Sequence, residues 1–295
     1  MLRRILVVSL LLLPSIGLSR APAQAPGDSE VASFSRTKAM KHVWRLSNKI
    51  GVRVRGTEGE RRGARYIKGR FEALGYEVEM QKFTIDGRTS RNVIAWSSDV
   101  IAHPFVVGGH MDTVARSPGA NDNASGTAIV LEVARLLQGH EKSNLFKFVA
   151  FGSEEYGANG RHHIGSEVFV NRLGKTGRNR SPGMVSVDMV ADGRPLIVGN
   201  SGIAGDVVAD ELLQQIRNAN INVRYRTSCD CSDNGPFERA GIPASYMWSG
   251  DEPNYHDSSD TVWNMKPKDL HRSGRAVRAF LLSLDEGDLR RFRNR

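Results

Sequence analysis

V-V-G-G-H-M-D-T-V-A-R-S-P-G-A-N-D-N-A-S-G, residues Val106 to Gly126, opens as an apolar strand and closes at the start of a helix. The apolar run Phe105-Val106-Val107 breaks at Gly108-Gly109, as a buried strand ending in glycines does. His110 and Asp112 follow directly, two residues apart, so on an extended backbone both face the same side. Asp122 ends a loop rich in Pro, Gly and Asn, and Ser125-Gly126 leads into a helical pattern over 127–138. His and Asp at a strand end, with another Asp where a helix begins, is a ligand arrangement of open α/β sheets, which gather ligands at the carboxyl ends of their strands.

Outward from this stretch, strand and helix patterns alternate. Helical spacing runs through Met40, Val43, Leu46 and Ile50, and again through Ala64, Ile67, Phe71 and Leu74, which Gly75 stops. Thr57 with Glu60 three residues later predicts a capping box. Strands are expected over 76–83, 92–96, 145–151, 184–190, 195–198, 223–227 and 241–248, and helices over 165–173 and 206–218 and from Pro267 onward. Residues 172–183 read as a basic loop, either solvated or a lid over anionic substrates. The pattern predicts an α/β fold: three layers, α/β/α, around a mixed, mostly parallel central sheet.

The first residues differ from the rest. Arg3 and Arg4 precede an apolar run from Ile5 to Leu18, and Ala21-Pro22-Ala23 offers small residues for cleavage. This is the pattern of a secretory signal peptide, and the run is short for a membrane span. The expected organisation is a leader at 1–23 and one domain over 24–295. The product would be exported, periplasmic or secreted, with no stable membrane anchor. Removing the leader takes away three arginines and no acid, leaving about +6 of the formal +9. That charge is dispersed, without the basic stripe or aromatics of a nucleic-acid binder. The two cysteines, Cys229 and Cys231, allow a small strained disulfide or a weak soft-metal site.

The acids and imidazoles that fall at strand ends are His110, Asp112, Asp122, Glu154, Glu155, Asp188 and His256. Singly each is weak: a lone His is more often a surface residue, and adjacent glutamates are more often a solvated face. Asp188 is stronger, because it interrupts an apolar strand and a buried carboxylate needs a partner. In a parallel sheet these ends share one edge, so the groups can converge. No Ser or Cys has the setting of a nucleophile.

The motifs H-M-D, G-A-N-D-N-A-S-G, S-E-E-Y-G, V-D-M and Y-H-D-S-S-D resemble those of the di-zinc exopeptidases of metallopeptidase family 28, typified by secreted bacterial leucyl aminopeptidases. The relatives of that family include glutamate carboxypeptidase-like enzymes and glutaminyl cyclases. The resemblance implies two zinc ions bridged by Asp122, one completed by His110 and Asp188, the other by Glu155 and His256. Cobalt or manganese are alternative metals at such carboxylate-rich sites. It implies Glu154 as general base and Tyr255 at the oxyanion. Asp112 and Asp260 would fix the tautomers of His110 and His256. Ser232-Asp233-Asn234 matches a substrate-side S-D-H motif, with Asn in place of His. The implied activity is removal of N-terminal residues from peptides. A carboxypeptidase or dipeptidase, or a glutaminyl cyclase, are the alternatives; N-D-N in place of N-D-S argues against the cyclase. A non-enzymatic binding protein of the same fold would have lost ligands or base, and none is lost.

Overall fold

The computed structural model describes residues 32–157, 159–193, 195–227, 231–250 and 252–294. The expected leader and Cys229 lie outside these. The strands are β1 (Glu77–Ile85), β2 (Arg88–Trp96), β3 (Phe105–His110), β4 (Phe146–Phe151), β5 (Met184–Val187), β6 (Leu196–Asn200), β7 (Val223–Thr227) and β8 (Ala244–Ser249). The helices are α1 (Arg36–Val43), α2 (Glu58–Ala73), α3 (Ala124–Leu137), α4 (Ile164–Arg172), α5 (Gly174–Arg180), α6 (Val207–Asn218), α7 (Asn234–Arg239), α8 (Pro267–Ser283) and α9 (Glu286–Arg293). A π-helical segment, Trp44–Ile50, extends α1.

The strands make one sheet in the order β1-β2-β4-β3-β5-β8-β6-β7. β3 pairs in parallel with β4 and β5, β5 with β8, and β6 with β7. The pairs β1–β2, β2–β4 and β6–β8 are antiparallel. The mixed, mostly parallel sheet expected from the sequence is therefore present. Strand side chains alternate between faces, and here both faces are apolar. Val93, Phe105, Val107, Phe148, Ala150 and Val185 join α1, α2, α3, α6 and α8 in one core. Ile94, Val106, Val149, Phe151, Met184 and Ala244 join residues of α4 and α7 in the other. A sheet buried on both sides reads as unbroken apolar runs.

β3 sits between β4 and β5. The β3–β4 connection carries α3 on one face of the sheet, and the β4–β5 connection carries α4 on the other. Loops leaving in opposite directions open a crevice at the carboxyl edge. Gly126, in the first turn of α3, lets that helix lie against β5, since a Cβ there would sit 1.9 Å from the Val187 carbonyl oxygen. Gly126→Ala is expected to cost about 1–3 kcal/mol and lower the melting temperature by roughly 3–9 °C. An unchanged thermal transition would show that the helix can move away freely.

Three local expectations are corrected. Thr57 is the N-cap of α2 but its side chain makes no capping bond. Its hydroxyl donates to the Val54 carbonyl, and Glu60 turns inward to the Gly56 N–H at 2.8 Å and to Ser90. Buried carboxylate partners outcompeted the local box. The basic segment after Arg172 is largely the exposed helix α5, and Arg172 pairs with Glu79 on β1. None of its residues lines the cavities described below, so the lid reading is withdrawn. Helices α7 and α9 had no expectation. α7 is short and carries Gly and Pro, and α9 is fixed by a capping box between Asp285 and Asp288.

Candidate active site

Each acidic or imidazole group identified at a strand end lies at the carboxyl end of one of four adjacent strands, β4, β3, β5 and β8. His110 is the last residue of β3, and Asp122 lies just before Asn123, whose side chain caps α3. Glu154 and Glu155 follow β4, Asp188 is the first residue beyond β5, and His256 lies in the loop after β8. Ser153, Met189 and His256 have left-handed backbones, with φ of 58°, 46° and 56°. Such angles cost non-glycine residues about 1–2 kcal/mol each. All three bend the chain beside or at a site side chain.

The side chains form two groups that share one carboxylate. His110 Nε2 lies 3.1 Å from Asp122 Oδ1 and 3.3 Å from Asp188 Oδ1. His256 Nε2 lies 3.2 Å from Asp122 Oδ2 and 3.0 Å from Glu155 Oε2. Asp122 thus offers one oxygen to each group. Ligand atoms bonded tetrahedrally to zinc at about 2.0–2.1 Å stand about 3.3 Å apart, so both groups have the spacing of zinc ligands. His110, Asp122, Glu154, Glu155 and Asp188 are all buried. Glu155 Oε1 and Asp188 Oδ1 are buried without a hydrogen-bond partner. Burial and then neighbouring carboxylates push Glu154 and Glu155 well above the usual carboxylate range. Burial opposes charge on His110, yet Glu154 and Asp188 hold its imidazolium well above the ordinary value. Protons relieve the crowded negative charge where cations would relieve it more fully. The donor set of imidazole nitrogen and carboxylate oxygen fits zinc.

A family model, that of peptidase family M28, matches residues 92–281, which includes every one of these side chains. The chain belongs to peptidase family M28. It is 31% identical to aminopeptidase YwaD of Bacillus subtilis over 87% of this chain, and spans 57% of that protein's length. Among solved structures, a zinc aminopeptidase from Bacillus subtilis matches with a TM-score of 0.78 and 20% identity, covering 85% of this chain and 95% of that one. A glutaminyl cyclase from Fimbriiglobus ruber matches with a TM-score of 0.73 and 26% identity, covering 88% of this chain and 99% of that one.

Around these side chains of the M28 chain, Asp112 and Asp260 make backbone contacts that were not expected. The Asp112 carboxylate stands 3.7 Å from His110 Nδ1, beyond hydrogen-bond range. Its oxygens instead accept the backbone N–H groups of Glu154 and Glu155, at 3.1 and 3.2 Å. The Asp112 carbonyl, at 3.3 Å, is what meets Nδ1 of His110. Asp260 likewise serves backbone, accepting from the N–H groups of Asn121 and Asp122 at 2.7 and 3.1 Å. Both acids hold the backbone of the segments that carry Glu154, Glu155 and Asp122, and the Asp112 carboxylate also stands at ion-pair distance from His110.

Two supporting residues of this M28 chain had no role in the sequence reading. Arg53 is fully buried and donates to the carbonyls of Met111, Leu46, Gly51, Pro118 and Gly119 at 2.7–3.0 Å. It ties the start and the end of the β3–α3 connection, which carries Asp122, to Leu46 and Gly51 ahead of α2. Its only sequence signal is a position between Val52 and Val54. His163, 3% exposed, places Nε2 2.9 Å from Glu154 Oε1. Nothing local in the sequence links it to that carboxylate.

Two cavities flank these side chains. One, of about 390 Å³, adjoins Asp188 and is walled by Met189, Tyr246, Trp248 and Tyr255, with Glu252 and Arg226 at its edge. The other, of about 430 Å³, adjoins Glu155 and includes Arg55, Arg88, Thr113 and Tyr156. Tyr255 is half exposed, its ring stacked on His256 at 3.7 Å between centroids. Ser232 lines the first cavity, whereas Asn234 turns away from it and donates to Glu238 at 2.7 Å.

Proposed function

We propose that this M28 peptidase is an exported di-zinc aminopeptidase. The observation that carries the reading is the division of the Asp122 carboxylate, one oxygen to each group, with Glu154 beside His110. His110, Asp122 and Asp188 would hold one zinc, and Asp122, Glu155 and His256 the other. Such a pair supplies Lewis acidity toward the scissile carbonyl and lowers the pKa of a shared water. Glu154 takes the proton of the attacking water and returns it to the leaving amine. Asp112 and Asp260 keep the carboxylates aimed through the backbone bonds described above. Tyr255 stands at the mouth, where its hydroxyl can meet the carbonyl oxygen of a bound peptide. The aromatic-walled cavity beside Asp188 suits one apolar side chain, so leucine-like or aromatic first residues are the expected substrates. Residues 1–23 would direct export and then be removed; no helix among the described residues is long and apolar enough to cross a membrane.

The test is hydrolysis of amino-acid p-nitroanilides, with chelator and then with zinc restored. Chelator-sensitive release that zinc restores is the expected result, along with no release from N-blocked substrates. Cobalt or manganese is expected to restore activity in part. Zinc-loaded protein inactive on every free-amine substrate would end the aminopeptidase reading. The likeness to a glutaminyl cyclase at 26% identity supports a second reading. In that case peptides with N-terminal Gln would lose ammonia and stay intact.

A further inference from the structure

The chain leaves β4 at Phe151, and His163 lies back beside Glu154. That return is closed twice over. The His163 N–H donates to the Glu154 carbonyl at 2.7 Å, and the Ile164 N–H to the Ser153 carbonyl at 2.9 Å. The imidazole of His163 then approaches the Glu154 side chain itself, Nε2 to Oε1, at 2.9 Å. The other carboxylate oxygen, Oε2, is the one that faces the ligand groups, 3.9 Å from His110 Nε2. One oxygen of Glu154 is thus anchored and the other aimed.

His163 does not look like a helix cap that happens to be buried. It stands at the N-cap of α4, in the left-handed region at φ 54°, yet its side chain makes no capping bond. Nδ1 is buried without a partner among the described residues. The ring is held from the side by His162, 4.0 Å between centroids, which in turn stacks on Tyr156 at 4.2 Å. A left-handed backbone, a clamped ring and one side-chain partner serve a single contact.

The geometry points to His163 as a positioning residue for Glu154: its Nε2–H holds Oε1, so that Oε2 is presented to the water and the leaving amine. This rests on the proposed role of Glu154 as general base. His163 touches neither metal ligands nor substrate, and it acts only through that carboxylate. Without it, the Glu154 side chain would sample other rotamers within the crevice, and the fraction of time spent aligned would fall.

His163→Asn and His163→Gln test the inference in the zinc-loaded protein. Asn tolerates the left-handed backbone but is too short to reach Oε1, whereas Gln carries an N–H donor of nearly the reach of Nε2. His163→Asn is expected to lower kcat about 10- to 100-fold, the usual range for a supporting contact of this kind. KM, zinc stoichiometry and melting temperature should stay near wild type, and His163→Gln should recover most of the loss. A kcat for His163→Asn within twofold of wild type overturns the inference. So does an equal loss in both variants with falling zinc content, which would assign His163 to packing. If His163→Asn does not fold, a crystal structure of His163→Gln decides, and Glu154 turned away from residue 163 there overturns it. Glu154→Gln measured alongside separates the two readings. If Glu154→Gln is inactive and His163→Asn fully active, only the positioning role fails; if Glu154→Gln is active, the general-base reading fails with it.

Discussion

Replacing Glu154 with glutamine is expected to lower kcat on leucine p-nitroanilide roughly a thousandfold, within the range that general acid–base groups contribute. Zinc content and KM should change little. The reason is positional. Glu154 Oε2 lies 3.9 Å from His110 Nε2, outside the 3.0–3.3 Å spacing that links the ligand atoms to one another. It is close enough to His110 and Asp188 to be grouped with them, yet stands farther from His110 than Asp122 and Asp188 do. Gln keeps the shape and the approach to His163 but cannot take a proton from water. Steady-state kinetics with zinc analysis on the same samples checks this. Near wild-type turnover with two zinc ions bound would remove Glu154 from the proton path. A loss of zinc in parallel with activity would instead make it a ligand.

Arg53→Met is expected to destabilise the fold by about 3–5 kcal/mol, the usual result of removing one partner from a buried charged network. The melting temperature should fall by roughly 10 °C. Met fills much of the volume of the arginine stem but strands the carbonyls that the guanidinium serves, among them Met111 and Gly119 toward the two ends of the connection that carries Asp122. Burial pulls the Arg53 guanidinium down to about 10, so it stays charged near neutral pH, facing Asp260, Asp112 and Asp122. Calorimetry with and without zinc measures the effect. Added zinc should restore part of the loss, because binding to the folded state alone stabilises it. An unchanged transition would mean that the β3–α3 connection holds its shape without Arg53.

Much of the fold was legible in the chain because its signals are local. The run over Phe105–Val107, ended by Gly108-Gly109, reads as a buried strand wherever it is met. So does the run ending at Phe151-Gly152, while the alternation before Asp86-Gly87 reads as a strand with one face exposed. Strand ends are also where side chains leave the sheet, so His110, Glu154, Glu155 and Asp188 were marked as candidates by position alone. The misread elements are those whose local signals tertiary contacts override. Glu60 left the expected box for Ser90, and the basic segment 174–180 coiled into α5.

By itself, then, the sequence determined the layer order, the strands whose ends carry chemistry, and the residue types gathered there. Side-chain period and strand length are properties of the local chain, and they survive any tertiary arrangement. Only the tertiary structure decided which partner each carboxylate serves. Asp112 and Asp260 were expected on imidazoles and take their short hydrogen bonds from backbone N–H groups; Arg53 lies 58 residues from Met111 and His163 nine from Glu154 in the chain, yet each touches its partner. A carboxylate can satisfy itself on any donor within reach, and reach is set by how the loops at the sheet's edge fold back on one another. No spacing in the sequence encodes that distance.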